Sequence, residues 1–488
     1  MFSSSGWLRK AAIAIALTIG LLPASGAFGQ LIGGGGIGGI GGGAAGGIGG
    51  GIGGFGGGGI GGNTAGVYVN PDGVFRYKKA VENKVLMKQR EQAARGILNP
   101  DVMRKSPLRK VSLQRLEGVV AALRKEGKDL PPEIRFLAGM TRITHVFYFP
   151  ESQDIVIAGP AEGFTNDLEG KPVGIETGSC ILELQDLIAA LRAYPPTGDK
   201  TQVIKCSIDP TKEGLARHRA VIAEDQATGL FTANPAASAE RQRQAMGMQV
   251  VTVEGVSPKS HFAQVLVEAD YRMKLIGIGL EQPPVRISSW PDRVAPGSRT
   301  AMQRWFFTPD YDCIRVTEDE TAMELVGQGV KLITATELVQ ADGSRAESKN
   351  IDPASKGFVT EFTKKYPALS EREPIFAQLK NVIDMSMAAA FIQQAGYYSK
   401  AAWDLGVFAD DKVVSLEVYT APSTVETAVN VVIKGAATMT PIGGGVNIQP
   451  LKAVSKERMK KDESGKVEAT AKSANSVKGL ASGQWWWD

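Results

Sequence analysis

The sequence predicts an α+β protein, with irregularly interleaved helices and mostly antiparallel sheet. Two observations carry this. Helical periods and short β-branched or aromatic runs alternate without the strict strand-helix repeat of a parallel sheet, and several strand candidates follow one another across short polar turns. A glycine-rich segment precedes the folded region and a charged tail follows it.

Taken in order, the first helix candidate is Lys79 to Arg95, charged and basic, an exposed helix or a further part of a tether. Ser112 is a good N-cap for a helix with Leu113, Leu116, Val120 and Leu123 on one face, and Gly127 stands just past its end. Pro131-Pro132 starts a short helix through Phe136 and Leu137. Thr144 to Phe149 and Asp154 to Ala158 read as a hairpin. Cys180 to Ala193 passes from strand to helix, and Val203 to Ile208 is a strand. Asp209-Pro210 then reads as a cap and first helical residue for a helix near His218. Met248 to Val253 is a strand, and Ser260 caps a periodic helix that turns Phe262, Val265, Leu266, Ala269 and Met273 inward. Trp305 to Thr308, Cys313 to Thr317, Ala322 to Val326 and Lys331 to Thr334 suggest an antiparallel meander. Helices at Phe358 to Tyr366 and Ile375 to Ala395 precede strands at Val413 to Tyr419 and Val425 to Ile433. This gives a main domain over 67–345 and a second α+β subdomain over 356–450, divided in the polar stretch Asp342 to Pro353.

The amino end predicts export. Arg9 and Lys10 precede an apolar run from Ala11 to Leu22 and the small residues Ala24-Ser25-Gly26-Ala27, the three parts of a secretory signal peptide. A dozen apolar residues are too short to span a hydrocarbon core of roughly 30 Å, so a cleaved signal over 1–29 is expected, cut after Ala27 or Gly29, with no transmembrane segment in the mature chain. The protein is then periplasmic or extracellular. Residues 30–66 follow as a disordered linker: between Gly33 and Gly62 roughly three quarters of the residues are glycine, which lose much backbone entropy on ordering and offer no side chain to bury. The linker is either a tether or a spacer without a partner. It lacks the strand-helix context and Lys-Ser or Lys-Thr pair of a phosphate-binding loop.

Net charge is +4, or +2 once Arg9 and Lys10 leave with the signal, which argues against nucleic-acid binding. Cys180, Cys206 and Cys313 allow at most one internal disulfide, or are three buried thiols. From Lys452 the chain is charged and lacks apolar periodicity, so 451–488 reads as a mobile tail ending in Trp485, Trp486, Trp487 and Asp488. Three adjacent indoles suggest docking into the protein's own groove, insertion at a lipid interface of the envelope or stacking on glycan rings, or a sticky end without a fixed partner.

FYFPESQDIVIAGPAEG, CSIDPTKEGLARH, SHFAQVLVEADYRMKLIGIGLE, RWFFTPDYDCIRVTEDETAMELVGQGVKL and PIGGGVNIQP together resemble a bacterial family of secreted proteins known only as a domain of unknown function. The resemblance covers most of Leu113 to Pro450 and implies an exported protein. It supplies no catalytic residue or ligand.

His261 is the leading single candidate. In the first turn of its helix the positive dipole end would keep the imidazole neutral near pH 7, and Glu268 and Arg272 recur on its face, so a His-Glu-Arg stripe could line a ligand-binding groove; the bland alternative is a helix-start histidine beside an ordinary Glu-Arg pair on a solvated face. Asp384 is the oddest residue, a carboxylate in a helix that is apolar nearly all round, so it must be paired, raised in pKa, or exposed at the helix end. No metal is expected, because His145, His218 and His261 show no ligand spacing, and no cofactor motif or nucleophile elbow occurs. The sequence therefore favours a non-catalytic exported binding or envelope-associated structural protein. An extracytoplasmic hydrolase with a site assembled only by the fold, using His261, Glu268 or Asp384, is the alternative.

Overall fold

The computed structural model describes residues 65–295, 302–339, 345–347, 352–434, 436–439, 442–475 and 479–488. The expected signal peptide and nearly all of the glycine-rich linker lie outside the described residues, as does most of the 342–353 stretch.

The chain is α+β. Its larger sheet has nine strands in the order Gly66–Val69, Val74–Lys78, Thr424–Glu426, Met248–Glu254, Ile204–Pro210, Ile442–Ile448, Met302–Pro309, Val330–Val339 and Arg345–Glu347. Pairing is antiparallel except where Thr424–Glu426 meets Val74–Lys78 and where Ile442–Ile448 meets Met302–Pro309. Strands from both sides of residue 350 thus share one sheet. The second sheet has seven strands, ordered Lys460–Lys461, Ile314–Val316, Ala322–Leu325, His145–Phe149, Asp154–Ala161, Ser106–Ser112 and Trp486–Trp487.

Local chemistry sets most elements where the sequence places them. Ser112 accepts from the Arg115 amide at the start of Leu113–Lys125, and Ser260 accepts from the Ala263 amide at the start of His261–Gly277. His145–Phe149 and Asp154–Ala161 form the expected hairpin. The helices Pro353–Ser370 and Pro374–Gln394 are present. The latter is long and apolar enough to cross a membrane, yet nearly all of it is buried inside the protein. Its uniform apolarity reflects a position inside the core, where each fully buried large side chain contributes roughly 1.5–3 kcal/mol. Phe307, Phe358, Phe362, Tyr366 and Phe376 interlock there with ring centroids 5.7–6.3 Å apart.

Five local expectations change. The meander is divided, because Met302–Pro309 and Val330–Val339 pair in the larger sheet while Ile314–Val316 and Ala322–Leu325 pair in the smaller. Asp209-Pro210 continues a strand, and Thr211 caps the Lys212–Ala227 helix instead, accepting from the Gly214 amide. Val413 to Tyr419 forms no strand, and Val425 to Ile433 divides into Thr424–Glu426 in the larger sheet and Val431–Lys434 in a separate two-stranded sheet. The tail is the largest departure. Lys466–Ala474 is helical and Trp486–Trp487 adds an edge strand to Ser106–Ser112. Trp485 and Trp487 are 5% and 6% exposed, and Trp487 donates to the Ala474 carbonyl. Trp487 packs with Phe147, Phe149 and Val467, while strand alternation turns its neighbour Trp486 to the opposite face, against the main core.

The glycine run of PIGGGVNIQP marks an interior strand. A Cβ on Gly444, whose φ is +133°, would meet the Trp305 carbonyl oxygen at 1.9 Å, so only glycine fits.

Candidate functional site

Two helix starts converge on His261. Glu183 precedes the Leu184–Ala193 helix and Asp186 lies in its first turn, which brings both carboxylates to one end. His261 opens the next long helix. Its Nδ1 lies 2.9 and 3.1 Å from the two Asp186 carboxylate oxygens, and its Nε2 lies 3.5 Å from Glu183 Oε1. Gln185 Nε2 donates to Glu183 Oε2 at 2.7 Å and faces the Tyr419 hydroxyl at 3.3 Å, so the second carboxylate oxygen is held while Oε1 turns toward the imidazole. Glu183 Oε1 is buried and accepts no hydrogen bond. The imidazole side chain is 13% exposed.

Burial works against the imidazolium, but the Asp186 and Glu183 carboxylates outweigh it and hold the His261 pKa up at about 9. The expected neutral imidazole is thus overturned: two carboxylates at contact distance dominate the partial charge of a helix end. Burial pushes the Glu183 carboxyl up, against the His261 charge.

Glu268 and Arg272 do not extend this cluster into a groove, nor do they lie on a solvated face. Glu268 accepts from Lys171 Nζ at 2.8 Å, and Lys171 also meets Glu169 at 3.1 Å. Arg272 is 1% exposed; it binds Glu281 through Nε at 3.0 Å and Glu373 through Nη2 at 2.6 Å, and lies 4.7 Å over the Tyr77 ring. Tyr77 from the first hairpin and the 167–171 turn cover this helix face, a tertiary event that helical spacing cannot report. Burial opposes the Lys171 charge, yet Glu268 and Glu169 hold its pKa above the ordinary lysine range.

Asp384 is buried and paired. Arg142 Nε donates to Oδ2 at 2.7 Å, and the carboxylate side chain is 4% exposed. The ion pair is therefore the answer to its apolar surroundings, and Arg142 is the partner that sequence position did not reveal.

The remaining histidines stand apart from His261. His145 meets the Thr144 hydroxyl and stacks on Phe147, and burial lowers its pKa. His218 is buried beside Gln242, and burial lowers its pKa to about 4 against that side chain's hydrogen bond. Cys180, Cys206 and Cys313 are buried and unpaired. Burial raises all three thiols, that of Cys313 to about 12.

A different surface carries an open concavity of about 540 Å³, lined by Arg293, Lys356, Thr360, Glu361, Lys364 and Lys365 with Pro353 and Gly357. Lys356, Thr360 and Lys364 recur at helical spacing and are exposed, while Glu361 bridges Arg293 and Lys365. Gly357 lets the guanidinium lie against the helix, since a Cβ there would come within 2.9 Å of Arg293 Nη1.

Glu183 and Asp186 were not singled out from the sequence. Their spacing across one helical turn was a signal, but their relation to His261, 75 residues from Asp186, is created by the fold. Neither a curated protein nor a solved structure matches the chain. Residues 206–290, which contain the whole His261–Gly277 helix, match the family described as Protein of unknown function (DUF1598), in keeping with the resemblance to an uncharacterised family.

Proposed function

We propose that the protein is an exported, non-catalytic binding protein that holds an anionic group, a carboxylate or phosphate, on the basic shelf of the Pro353–Ser370 helix. The observation that carries this reading is the composition of the concavity: four cationic side chains line it against one carboxylate, and that carboxylate already bridges two of the four. Lys356 and Lys364 are left facing solvent in the same opening. Such a shelf attracts anions by field and by direct charge-assisted hydrogen bonds. Its openness suits binding, whereas proton-transfer chemistry favours an enclosed, water-poor site. Export rests on the signal-like amino end, and buried, neutral thiols fit an oxidising compartment because the reactive thiolate is disfavoured.

The competing reading, an extracytoplasmic hydrolase, draws its support from the Glu183, Asp186 and His261 cluster. One experiment addresses both. Citrate and inorganic phosphate are titrated by calorimetry into the secreted chain and into a Lys356→Glu, Lys364→Glu variant, with nitrophenyl esters and phosphates assayed in parallel. Saturable, salt-sensitive anion binding that the variant loses supports the proposal. Failure of the wild type to bind either anion, or turnover that His261→Gln abolishes, overturns it.

A further inference from the structure

We propose that Glu183 and His261 form a binding site for one divalent cation of the zinc class, with Asp186 as the residue that positions the imidazole. One ligand atom from each of Glu183, Asp186 and His261 lies within 4.8 Å of the others. The cluster differs from a chance meeting of acids in two respects. Glu183 Oε1, on a side chain only 4% exposed, points toward the imidazole yet makes no hydrogen bond. Its nearest cation, His261 Nε2, stands 3.5 Å away, so this buried carboxylate oxygen is left without a hydrogen bond, and such under-satisfied groups ask for an ion or a water.

The second respect is spacing. The 3.5 Å between His261 Nε2 and Glu183 Oε1 is long for an N–H donor and a carboxylate. It is close to the ~3.3–3.5 Å that separates two ligands at about 2.0–2.1 Å from a tetrahedral zinc. The other side of the ring meets a requirement that zinc sites share: Nδ1–H donates to Asp186 at 2.9 Å, which fixes the tautomer and presents Nε2. Gln185 performs the matching task for Glu183 by holding Oε2.

The donor set selects the class of ion. One imidazole nitrogen beside a carboxylate oxygen, completed by water, suits zinc; magnesium and calcium prefer all-oxygen shells, and the imidazole nitrogen disfavours them. The His261 side chain is 13% exposed, which gives the ion a path from solvent. On entry, Nε2 gives up its proton to solvent and the ion takes that proton's place between imidazole and carboxylate. Lys171 and Arg135 also act on the cluster, on His261 and Glu183 respectively, and oppose the build-up of further positive charge there.

The test uses the untagged mature chain, stripped with a chelator and titrated with zinc by calorimetry, with magnesium as control. The expected result is one zinc per chain, no magnesium uptake, and affinity lowered at least tenfold by Glu183→Gln. Asp186→Asn gives a smaller loss, because it removes orientation and not a ligand. No stoichiometric zinc uptake, or equal uptake by wild type and a folded Glu183→Gln variant, overturns the proposal. If the variant does not fold, cobalt substitution of the wild-type chain decides. Paramagnetic shifts at the His261 ring carry the proposal, and shifts confined to His145 or His218 defeat it.

Discussion

Arg109 and Asp488 lie 379 residues apart in the chain and meet as a two-pronged ion pair, Nε to Oδ1 at 2.8 Å and Nη2 to Oδ2 at 3.0 Å. Arg109 is fully buried, donates also to the carbonyls of Val102, Ala138, Asp101 and Arg104, and lies 4.5 Å over the Trp486 ring. The guanidinium thus gathers three segments, and the carboxylate is its one anionic partner in that set. Asp488→Asn keeps the shape and removes the charge. A wholly buried pair loses about 3–5 kcal/mol when one partner is removed, and the 28% exposure of Asp488 reduces this to about 1–3 kcal/mol. Urea unfolding should show a lower midpoint at unchanged slope. An unchanged midpoint means that the carbonyls alone satisfy Arg109.

That contact also shows why the tail, expected to be mobile, is ordered instead. Periodicity reports an apolar face, and Trp485 to Trp487 has none that one helix or strand could present in a single direction. Their burial depends on an edge of the smaller sheet left open by Ser106–Ser112, which becomes visible only when the hairpin and that strand are assembled. Where helices carry their own caps, as at Ser112 and Ser260, sequence and structure agree. For the candidate site, His261 was legible as a helix-start histidine. Its ionisation was not, because the deciding charges, Glu183 and Asp186, come from another helix.

Gly277 lies where its helix touches Trp305. A Cβ there would come within 2.1 Å of Trp305 Cζ3, and that indole is fully buried with Nε1 bonded to the Ser355 hydroxyl at 3.1 Å. Gly277→Ala gains up to about 1 kcal/mol of helix propensity. Overpacking a rigid ring in a dense core opposes this by about 1–3 kcal/mol or more. The expected outcome is net destabilisation with a perturbed indole environment, read as a shift in near-ultraviolet circular dichroism. A variant as stable as wild type would show that the ring can move aside.

Lys171 stands between Glu169 and Glu268 with its amine at 3.1 and 2.8 Å. Lys171→Met leaves two carboxylates facing each other at low exposure, and a loss of about 3–5 kcal/mol is expected. Glu268→Gln in the same chain relieves the repulsion, so the double variant should be more stable than Lys171→Met alone. A double-mutant cycle measured by urea unfolding reads the coupling directly. Additive losses would show that the three charges do not act as a unit.

His218 makes folding pH-dependent. Burial lowers its pKa to about 4 in the folded chain, whereas an unfolded histidine titrates near 6.5. Between those values the unfolded chain binds more protons, so the His218 contribution falls as pH falls through that window and levels off below about 4. Above pH 6.5 the ring is neutral in both states and the contribution is flat. A gap of this size is on the order of 3 kcal/mol. Asp154 opposes it, since burial raises that carboxyl to about 6, which favours the folded chain as pH falls. Comparing wild type with His218→Gln cancels the Asp154 contribution. The stability difference between the two chains should stay constant from pH 8 to about 6.5 and then move in favour of the variant down to about pH 4. A difference that does not change with pH would mean that the folded chain lets His218 protonate as freely as the unfolded one.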